Sequence, residues 1–423
     1  MAHLGLICPE LSGHLNPMTT LGRELKRRGH RVTLIGRPDA QKKTESAGLE
    51  FSVVGEKEFP VGSLAKTSAQ LGRLAGWNAL RFTVELLRRG AVIMVDQGSD
   101  AIARTGVDAL LVDQVSPAGE TVAEMLNLPF VSVCNALALN YDPALPPAVA
   151  PWRYRRGTIW RWRNALGDSI LRLAARPIIR EMNARRLRYG LSQLAMRIPE
   201  SPGLAQIAQQ PALFDFPRER LPDNFHYTGP WHAIESADKL EFPWQKLDGR
   251  PLIYASMGTL QNRQQPIFQA IATACAGLDA QLVMSLGSHD QRLDLKLPEA
   301  AIVVPFAPQL DLLRRAALTI THAGLNTALE SLTQGVPMVA IPITNDQPGV
   351  ASRLEWLGVA RVVPPARLTA QRLRASVRAI LSESQYRARA KQWKAEIGNI
   401  EGLRLAADIV ERAFETRQPV RHP

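Results

Sequence analysis

The stretch "LTITHAGLNTALESLTQGVPMVAIPI", residues 318–343, decides the fold. An apolar run leads into a short loop, a helical pattern begins near Asn326, Gly335 ends it, and a second apolar run begins at Met338. Strand, helix and strand in this order are typical of a parallel β-sheet covered by helices.

The loop at residues 322–324 allows two interpretations. Asn326 could cap the helix while Gly324 makes the turn. Alternatively, the free N–H groups and the positive dipole end of the helix bind an anion such as phosphate, with His322 adding a hydrogen bond and Gly324 letting the backbone approach closely. The stretch alone does not decide between them.

The same alternation extends in both directions. In the first 36 residues, "HLGLIC" reads as a strand, "PELSGHLN" as a loop, "PMTTLGRELKRRG" as a helix with Asn16 as its N-cap and Pro17 at its first position, and "RVTLIG" as a strand. The other strands predicted are 49–54, 108–113, 129–134, 252–258, 281–287, 301–306, 318–322, 338–343 and 360–364.

This pattern predicts an α/β protein of two Rossmann-like domains that face a cleft. The first domain spans residues 1–230 and has a helical, arginine-rich insertion near 141–216. A proline- and glycine-punctuated linker covers 231–250, and the second domain covers 251–400. Residues 401–423 form a C-terminal helix expected to cross back to the first domain.

Composition describes a globular chain, with 46% hydrophobic and 21% charged residues among 423. No apolar run reaches the roughly 18 residues of a membrane-spanning helix, and no secretory signal is visible. The three cysteines, Cys8, Cys134 and Cys275, are far apart in apolar stretches and read as buried small residues. We therefore expect a cytoplasmic protein.

The net charge of +12 is concentrated in one segment. Residues 151–190 hold eleven arginines against Asp168 and Glu181, a net charge of +9, and the other 383 residues carry +3. A charge so local argues against a general nucleic-acid-binding surface.

A helical face of apolar residues lies inside this basic segment: Ile159, Trp162, Leu166, Ile170 and Leu173. Two interpretations stay open. The face packs on its own domain and leaves a solvated basic side, or the segment lies on anionic lipid with Trp160 or Trp162 near the interface.

Small and polar residues follow four predicted strands of the second domain. They are Ser256, Gly258 and Thr259 in "YASMGT", the "FAPQ" segment at 306–309, the loop at 322–324, and "TNDQ" at 344–347. Because the carboxyl ends of parallel strands meet at one edge of a sheet, these segments predict a nucleotide-sized pocket.

The segment "FAPQLDLLRRAALTITHAGLNTALESLTQGVPMVAIPITNDQ" (306–347) resembles the nucleotide-sugar signature of the UDP-glycosyltransferases, which have the GT-B fold. The resemblance implies that Phe306 stacks on uracil, that Gln309 and the Ala307 backbone border the base, and that Glu330 binds the ribose. It implies diphosphate contacts by Ser256, His322, Gly324, Asn326 and Thr327, and sugar contacts by Asp346 and Gln347. Many members have tryptophan where this chain has Phe306, so a thymidine donor stays open.

The first domain holds two residues placed for acid–base chemistry. His14 follows the first strand and Asp113 ends "ALLVD", so both face the same crevice. Spacing alone favours a solvated loop histidine and a helix-capping aspartate. However, "GHLNP" resembles the family's catalytic-histidine motif and Asp113 matches its partner, which implies that His14 is a general base assisted by Asp113.

The resemblance implies an inverting transferase that moves a hexose, most simply glucose, from UDP to a hydroxyl of a hydrophobic small molecule. We expect no cofactor besides the nucleotide-sugar co-substrate and no metal, since the chain has no Asp-x-Asp motif and no His/Cys cluster. The alternatives are a GT-B nucleotide-sugar epimerase and a nucleotide-sugar-binding protein without catalysis.

Two stretches of the first domain resemble bacterial zeaxanthin glucosyltransferases, "CNALALNYDPALPPAVAPW" (134–152) and "FDFPRERLPDNFHYTGP" (214–230). The resemblance makes a carotenoid the leading acceptor, with flavonoids and other phenols as alternatives. The expected partners are therefore a small-molecule acceptor and a nucleotide-sugar donor, with no nucleic acid and with a peripheral membrane contact through residues 151–190 as an open possibility.

Overall fold

A computed structural model of the chain describes residues 1–71, 74, 76–194, 203–231, 240–259, 265–288 and 293–422. The centre of the linker expected at 231–250 and residues 195–202 of the insertion expected near 141–216 lie outside these residues.

The chain divides into two compact units. Unit 1 comprises Met1–Pro147, Arg155–His232 and Glu401–Pro423, and unit 2 comprises Ala148–Tyr154 and Ala233–Ile400. Each unit is built on one parallel sheet with helices.

Unit 1 contains a seven-stranded parallel sheet in the order β3-β2-β1-β4-β5-β6-β7. Its strands are β1 (His3–Ile7), β2 (Arg31–Gly36), β3 (Glu50–Val53), β4 (Ala109–Asp113), β5 (Phe130–Cys134), β6 (Ala205–Ala208) and β7 (Phe225–Tyr227). Its helices are α1 (Ser12–Arg27), α2 (Gln41–Ser46), α3 (Ser63–Leu71), α4 (Gly76–Thr105), α5 (Pro117–Met125) and α6 (Thr158–Arg188), and α13 (Gly402–Thr416) returns to this unit.

Alternate residues of β4 belong to two different hydrophobic clusters. Ala109 and Leu111 join a cluster that includes residues of α1 and α13, whereas Leu110 and Val112 join one that includes residues of α4 and α5. Because helices cover both faces of the sheet, the strand is apolar from Ala109 to Val112, as expected for a buried parallel strand, and only its last residue, Asp113, is polar.

Strands β6 and β7 lie in segments for which the sequence predicts helix or irregular structure. They have four and three residues, and β6, "AQIA", is buried at every position. Each is short and carries a polar residue, Gln206 in β6 and His226 in β7, so neither forms the continuous apolar run that marks the other strands.

Helix α1 also differs from its prediction. It begins at Ser12 with Leu11 as its N-cap, so Asn16 does not cap it and Pro17 lies inside the helix. His14, predicted in a loop, is therefore in the first helical turn. Pro17 is the sixth residue of the helix and has no N–H to donate to the carbonyl four residues earlier, so α1 continues past it with one backbone hydrogen bond fewer.

Unit 2 contains a six-stranded parallel sheet in the order β10-β9-β8-β11-β12-β13. Its strands are β8 (Leu252–Ser256), β9 (Gln281–Ser285), β10 (Ile302–Val304), β11 (Ala316–Thr321), β12 (Met338–Ala340) and β13 (Ala360–Val362). Its helices are α7 (Gln265–Cys275), α8 (Gln309–Leu313), α9 (Leu325–Gln334), α10 (Gln347–Trp356), α11 (Ala370–Ser382) and α12 (Ser384–Gly398).

Helix α6 does not bury the apolar face that its sequence displays. Ile159, Trp162, Leu166, Ile170 and Leu173, which we call the α6 stripe, are each 55–73% exposed. The buried residues of the helix lie on its other side and include Asn164, Gly167 and Met182. The interpretation in which the apolar face packs on its own domain is therefore wrong.

Across the described ranges, no helix combines the length and the apolar character that crossing a membrane requires.

Candidate active site

His14 and Asp113 meet at the carboxyl end of the sheet of unit 1. His14 Nδ1 lies 2.8 Å from Asp113 Oδ2; the carboxylate is fully buried, and the imidazole is 17% exposed. A carboxylate oxygen accepts, so Nδ1 carries the proton and Nε2 keeps a lone pair. This tautomer can accept a proton at Nε2 from a substrate hydroxyl.

Asp113 has further donors besides His14. The Val115 N–H donates to Oδ1 at 2.9 Å, and the Asn135 amide donates to Oδ2 at 2.7 Å. Asp113 does not cap a helix, since α5 begins at Pro117 with Ser116 as its N-cap. The expectation of a helix-capping aspartate and a solvated histidine is thus wrong, because the Asp113 carboxylate accepts a hydrogen bond from His14 instead of capping a helix.

Asn135 is a site residue that the sequence analysis did not single out. It directly follows β5, as His322 directly follows β11. A polar residue immediately after an apolar strand was the available signal, and "VSVCN" contains it.

In unit 2, the loop before α9 is built differently from its prediction. The left-handed residue is Ala323, with φ of +63°, and Gly324 is the N-cap of α9 with φ of −63°. Helix α9 begins at Leu325, so Asn326 lies inside the first turn and does not cap it. Asn326 and Thr327 therefore stand in the first turn of the helix, whose backbone N–H groups point toward its N-terminus.

The imidazole of His322 occupies the space that side chains at two glycines would fill. A Cβ atom at Gly258 would lie 2.7 Å from His322 Nε2, and one at Gly324 would lie 2.5 Å from it. Gly258 also has φ of +75°, a conformation that strains other residues. Both glycines are thus required by the imidazole, whatever ligand the loop binds.

His322 is neutral at pH 7, because burial lowers its pKa to about 4. Its Nδ1 is buried, and no residue in the described part of the chain supplies it with a hydrogen-bond partner. A neutral imidazole can donate one hydrogen bond to a ligand without adding a positive charge.

Ser256 is placed beside this histidine by the register of the sheet. It ends β8, is buried, and pairs with Thr321, the residue before His322. The Gly258 N–H donates to Ser256 Oγ at 3.4 Å, and Thr259, which follows, is exposed. Ser256, Gly258, His322 and Gly324 therefore form one group at the ends of β8 and β11.

A second group connects α8 with α9. The Tyr254 hydroxyl donates to Gln309 Oε1 at 3.0 Å, and Gln309 Nε2 donates to Thr327 Oγ1 at 3.3 Å and also to Glu330 Oε2. Burial raises the pKa of Glu330 to about 7, although the hydrogen bond from Gln309 acts in the opposite direction. Tyr254, which orients Gln309, is another residue that the sequence analysis missed.

The remaining predicted donor residues lie on loops after β10 and β12. Phe306 and Ala307 are half-buried between β10 and α8, and Ala307 packs against the cluster around Phe242 and Tyr254. Asp346 precedes α10 as its N-cap residue, and Gln347 is the first residue of that helix.

Gln347 uses its carbonyl oxygen within the protein. Oε1 accepts hydrogen bonds from the N–H groups of Ile343 at 2.8 Å and Thr344 at 3.0 Å. The amide nitrogen is the half of this side chain that can donate to a ligand.

The structure thus brings together three groups of predicted residues. His14 and Asp113 form one pair in unit 1, and in unit 2 the groups around His322 and around Gln309 share helix α9. Within the described residues, no three or more His, Cys, Asp and Glu side chains form a metal-binding group.

The chain matches a known protein family along most of its length. The family model described as UDP-glucoronosyl and UDP-glucosyl transferase matches residues 6–394. The zeaxanthin glucosyltransferase of Pantoea ananas is 33% identical over 426 residues, which cover 99% of this chain and 98% of that protein. That of Pseudescherichia vulneris is 31% identical, with 99% of this chain and 100% of that protein covered.

Among solved structures, the glycotransferase of kitacinnamycin superposes with a TM-score of 0.73 at 24% identity, covering 97% of this chain and 98% of that one. The expected α/β architecture of the GT-B fold, with two Rossmann-like units, is confirmed. The match over residues 6–394, together with two relatives above 30% identity along the whole chain, identifies the enzyme class as well as the fold. The chain belongs to the UDP-glucoronosyl and UDP-glucosyl transferase family of glycosyltransferases.

Proposed function

We propose that this enzyme transfers a hexose, most simply glucose, from a UDP-sugar to a hydroxyl of a hydrophobic small molecule with inversion at the anomeric carbon. The observation that carries the proposal is the 2.8 Å hydrogen bond between His14 and the buried carboxylate of Asp113. A nucleotide-sugar-binding protein without catalysis would have no use for this pair.

In the proposed reaction, His14 Nε2 takes the proton of the acceptor hydroxyl while the oxygen attacks the anomeric carbon. The bond from that carbon to the diphosphate oxygen breaks, and UDP leaves from the opposite face. Asp113 holds the imidazole in the required tautomer and stabilises the imidazolium that forms.

The leaving diphosphate gains negative charge in the transition state. We assign its stabilisation to the first turn of α9, with Asn326 and Thr327, and to one hydrogen bond from neutral His322. We also assign Ser256, Gly258, Thr259 and Gly324 to the donor site. Ser256, Gly258 and Gly324 lie beside His322, and Thr259 follows Gly258 in the chain. These groups meet the charge without a metal, so we expect transfer to continue in EDTA, and strict Mg²⁺ dependence would contradict the assignment.

We assign the base, the ribose and the sugar of the donor to residues around α8 and α10. Phe306 is proposed to stack on the base, with Ala307 and Gln309 at its edge and Glu330 on the ribose hydroxyls. Asp346 and the amide nitrogen of Gln347 are proposed to bind hydroxyls of the sugar.

A carotenoid is the leading acceptor, since two relatives at 31–33% identity are named zeaxanthin glucosyltransferases. A panel of UDP-sugars with zeaxanthin and several phenols, read by mass spectrometry, identifies both substrates. Conversion of the UDP-sugar into its epimer without an acceptor would instead favour the epimerase.

The test of the site is His14→Ala, which should lower kcat by about 10²- to 10⁴-fold and leave donor binding unchanged. The matched control is His30→Ala, because His30 also contacts a carboxylate of unit 1, with its Nε2 3.1 Å from Glu411 Oε1. The control should keep wild-type transfer. Near wild-type activity of His14→Ala would remove His14 from this role.

A second proposal concerns where the enzyme works: in the cytoplasm, with the α6 stripe in peripheral contact with anionic lipid. The stripe exposes five large apolar side chains on one helix face. Exposed cations lie on either side of the stripe along the chain: Arg156 precedes the helix, and Arg176 and Arg180 follow within it. None of the three has a carboxylate partner among the described residues. An apolar face with cations beside it is the pattern that binds an anionic membrane surface.

Flotation with vesicles that contain phosphatidylglycerol tests this contact. The wild type should bind at low salt and be released at high salt, because screening weakens the arginine contribution. Trp162→Glu combined with Leu166→Glu should abolish binding without changing transfer to a water-soluble phenol. The control is Leu213→Glu, at an apolar residue 51% exposed elsewhere in unit 1.

Failure of the wild type to bind these vesicles would overturn the lipid proposal. So would a stripe variant that binds like the wild type, or one that changes the oligomeric mass in sedimentation, since the stripe would then be a contact between copies of the chain.

A further inference from the structure

Asn135 and His14 share one oxygen of Asp113. Asn135 is 1% exposed, and its Nδ2 donates to Asp113 Oδ2 at 2.7 Å. The same oxygen lies 2.8 Å from His14 Nδ1. The other oxygen, Oδ1, accepts from the Val115 N–H at 2.9 Å, so the carboxylate is held from both sides.

We propose that Asn135 is a positioning residue for the transfer reaction: its amide holds the Asp113 carboxylate toward His14 and takes up part of its charge. This inference rests on the proposed general-base role of His14. Asn135 itself acts only through Asp113 and is not assigned a contact with substrate.

Asn135 is itself anchored by the neighbouring strand. It directly follows β5, and its backbone carbonyl accepts a hydrogen bond from Gln209 Nε2 at 2.5 Å. Gln209 directly follows β6, which pairs with β5 in parallel. The carboxyl ends of three adjacent strands, β4, β5 and β6, thus build one rigid support for the histidine.

The side chain of Asn135 is not explained by stability. Its Oδ1 is buried and has no hydrogen-bond partner within the described residues. A buried acceptor without a partner destabilises a fold, whereas an apolar side chain at this position would leave none. The one polar contact that this side chain makes among the described residues is the bond to Asp113, which favours a role in catalysis.

Removing the amide should change how Asp113 acts on the imidazole. With one donor fewer, more of the negative charge of the carboxylate is directed at His14, so the imidazolium becomes easier to form. The base must be neutral to accept a proton. As the pH is lowered, the activity of the variant should therefore begin to fall at a higher pH than the activity of the wild type does.

Two thiols also interact with the charge of Asp113, those of Cys8 and Cys134. Burial raises the pKa of Cys8 well above its usual range and that of Cys134 to about 12. Both stay protonated at the pH values of the assay. Glu120 lies on α5 and interacts with Cys134, and burial raises its pKa to about 7. The dependence of kcat on pH in a Glu120→Gln variant shows how much Glu120 contributes to the wild-type pH profile.

The experiment measures kcat and kcat/KM against pH for Asn135→Ala and for Asn135→Leu, which keeps the number and branching of the side-chain heavy atoms but has no polar atoms. The acidic limb of both profiles should move to higher pH by about one unit, which lowers the rate about tenfold on that limb. The KM for UDP-glucose should not change. The control is Asn164→Ala, since Asn164 is 1% exposed in α6 and donates to the Pro143 carbonyl at 3.2 Å instead.

A folded Asn135 variant with the wild-type pH profile overturns the inference, as does an equal shift in Asn164→Ala. His14→Ala separates this failure from that of the proposed function. If His14→Ala is inactive while the Asn135 variants behave as wild type, only the inference fails; if His14→Ala is active, the proposed base fails.

Discussion

The two units each place a histidine beyond the carboxyl end of a strand at the start of a helix, yet the surroundings of the two differ. His14 contacts the buried carboxylate of Asp113 at 2.8 Å. His322 lies against Gly258 and Gly324, and its Nδ1 has no partner among the described residues. One histidine has a carboxylate beside it, and the other is buried without one.

The difference shows that a neighbouring charge and burial act on the same side chain in opposite directions. A carboxylate favours the imidazolium, whereas burial without a counter-charge favours the neutral ring. The comparison predicts that changes around His14 affect the chemical step, while changes around His322 affect the donor.

The largest effect is expected from Asp113→Asn. An amide N–H facing His14 Nδ1 would place the imidazole proton on Nε2, and the ring would lose its function as a base. We expect kcat to fall by about 10²- to 10⁴-fold with little change in donor KM. The control is Asp248→Asn, whose carboxylate pairs with Arg250 on the surface of unit 2.

A wild-type kcat for Asp113→Asn would show that the carboxylate beside His14 does not affect the chemical step. The difference between the surroundings of the two histidines would then have no consequence for catalysis. A rise in donor KM alone would instead place Asp113 in the donor site.

A smaller effect is expected from Gly324→Ala. The added methyl group would lie 2.5 Å from His322 Nε2, so the imidazole or the loop must move. If the full overpacking cost of about 1–3 kcal/mol acts on donor binding, kcat/KM for the UDP-sugar falls by roughly 5- to 150-fold. Gly398→Ala is the control, because no atom lies within 4 Å of its added methyl group.

Steady-state kinetics at varied UDP-glucose distinguishes the two outcomes. An unchanged kcat/KM in Gly324→Ala would show that the donor does not depend on the position of His322.

The smallest effect concerns stability. Burial lowers the pKa of His322 to about 4 in the folded state, below the value of 6.5 for an unperturbed histidine. As the pH falls below 6.5, the unfolded state binds this proton more readily, so the free energy of unfolding decreases. The pKa of Glu330, raised to about 7, adds stability over the same range, because the folded state binds that proton more tightly. Each contributes about 2 kcal/mol between pH 7 and pH 5, with opposite sign.

Urea unfolding at pH 7 and pH 5 measures both contributions. Glu330→Gln should lose more stability on acidification than the wild type, and His322→Gln should lose less. Identical pH dependence in the two variants would mean that neither group is held as the structure indicates.

Most of the fold could be predicted from local patterns. Most strands of both sheets read as short apolar runs with polar residues after them. Strands β6 and β7 were missed because they have only four and three residues and each includes a polar residue. The start of α1 was misplaced because Asn16 and Pro17 imitate a helix start one turn inside the helix.

The sequence predicted most residues of the candidate site but missed Asn135 and Tyr254, and it did not predict the contacts within the site. The bond from Gln309 to Glu330 joins residues 21 positions apart, and the bond from Asn135 to Asp113 joins two adjacent strand ends. The sequence contains both residues of each pair without indicating that they meet.

The sequence by itself predicted the α/β class, the candidate donor-site residues and, through the family resemblance, the pairing of His14 with Asp113, because strand, loop and helix signals are local and the family signature is contiguous. Only the tertiary structure decided that Asn135 holds Asp113, that two glycines make room for a neutral His322, and that the α6 stripe faces solvent. These depend on burial and on contacts between residues distant in the chain, which periodicity does not encode.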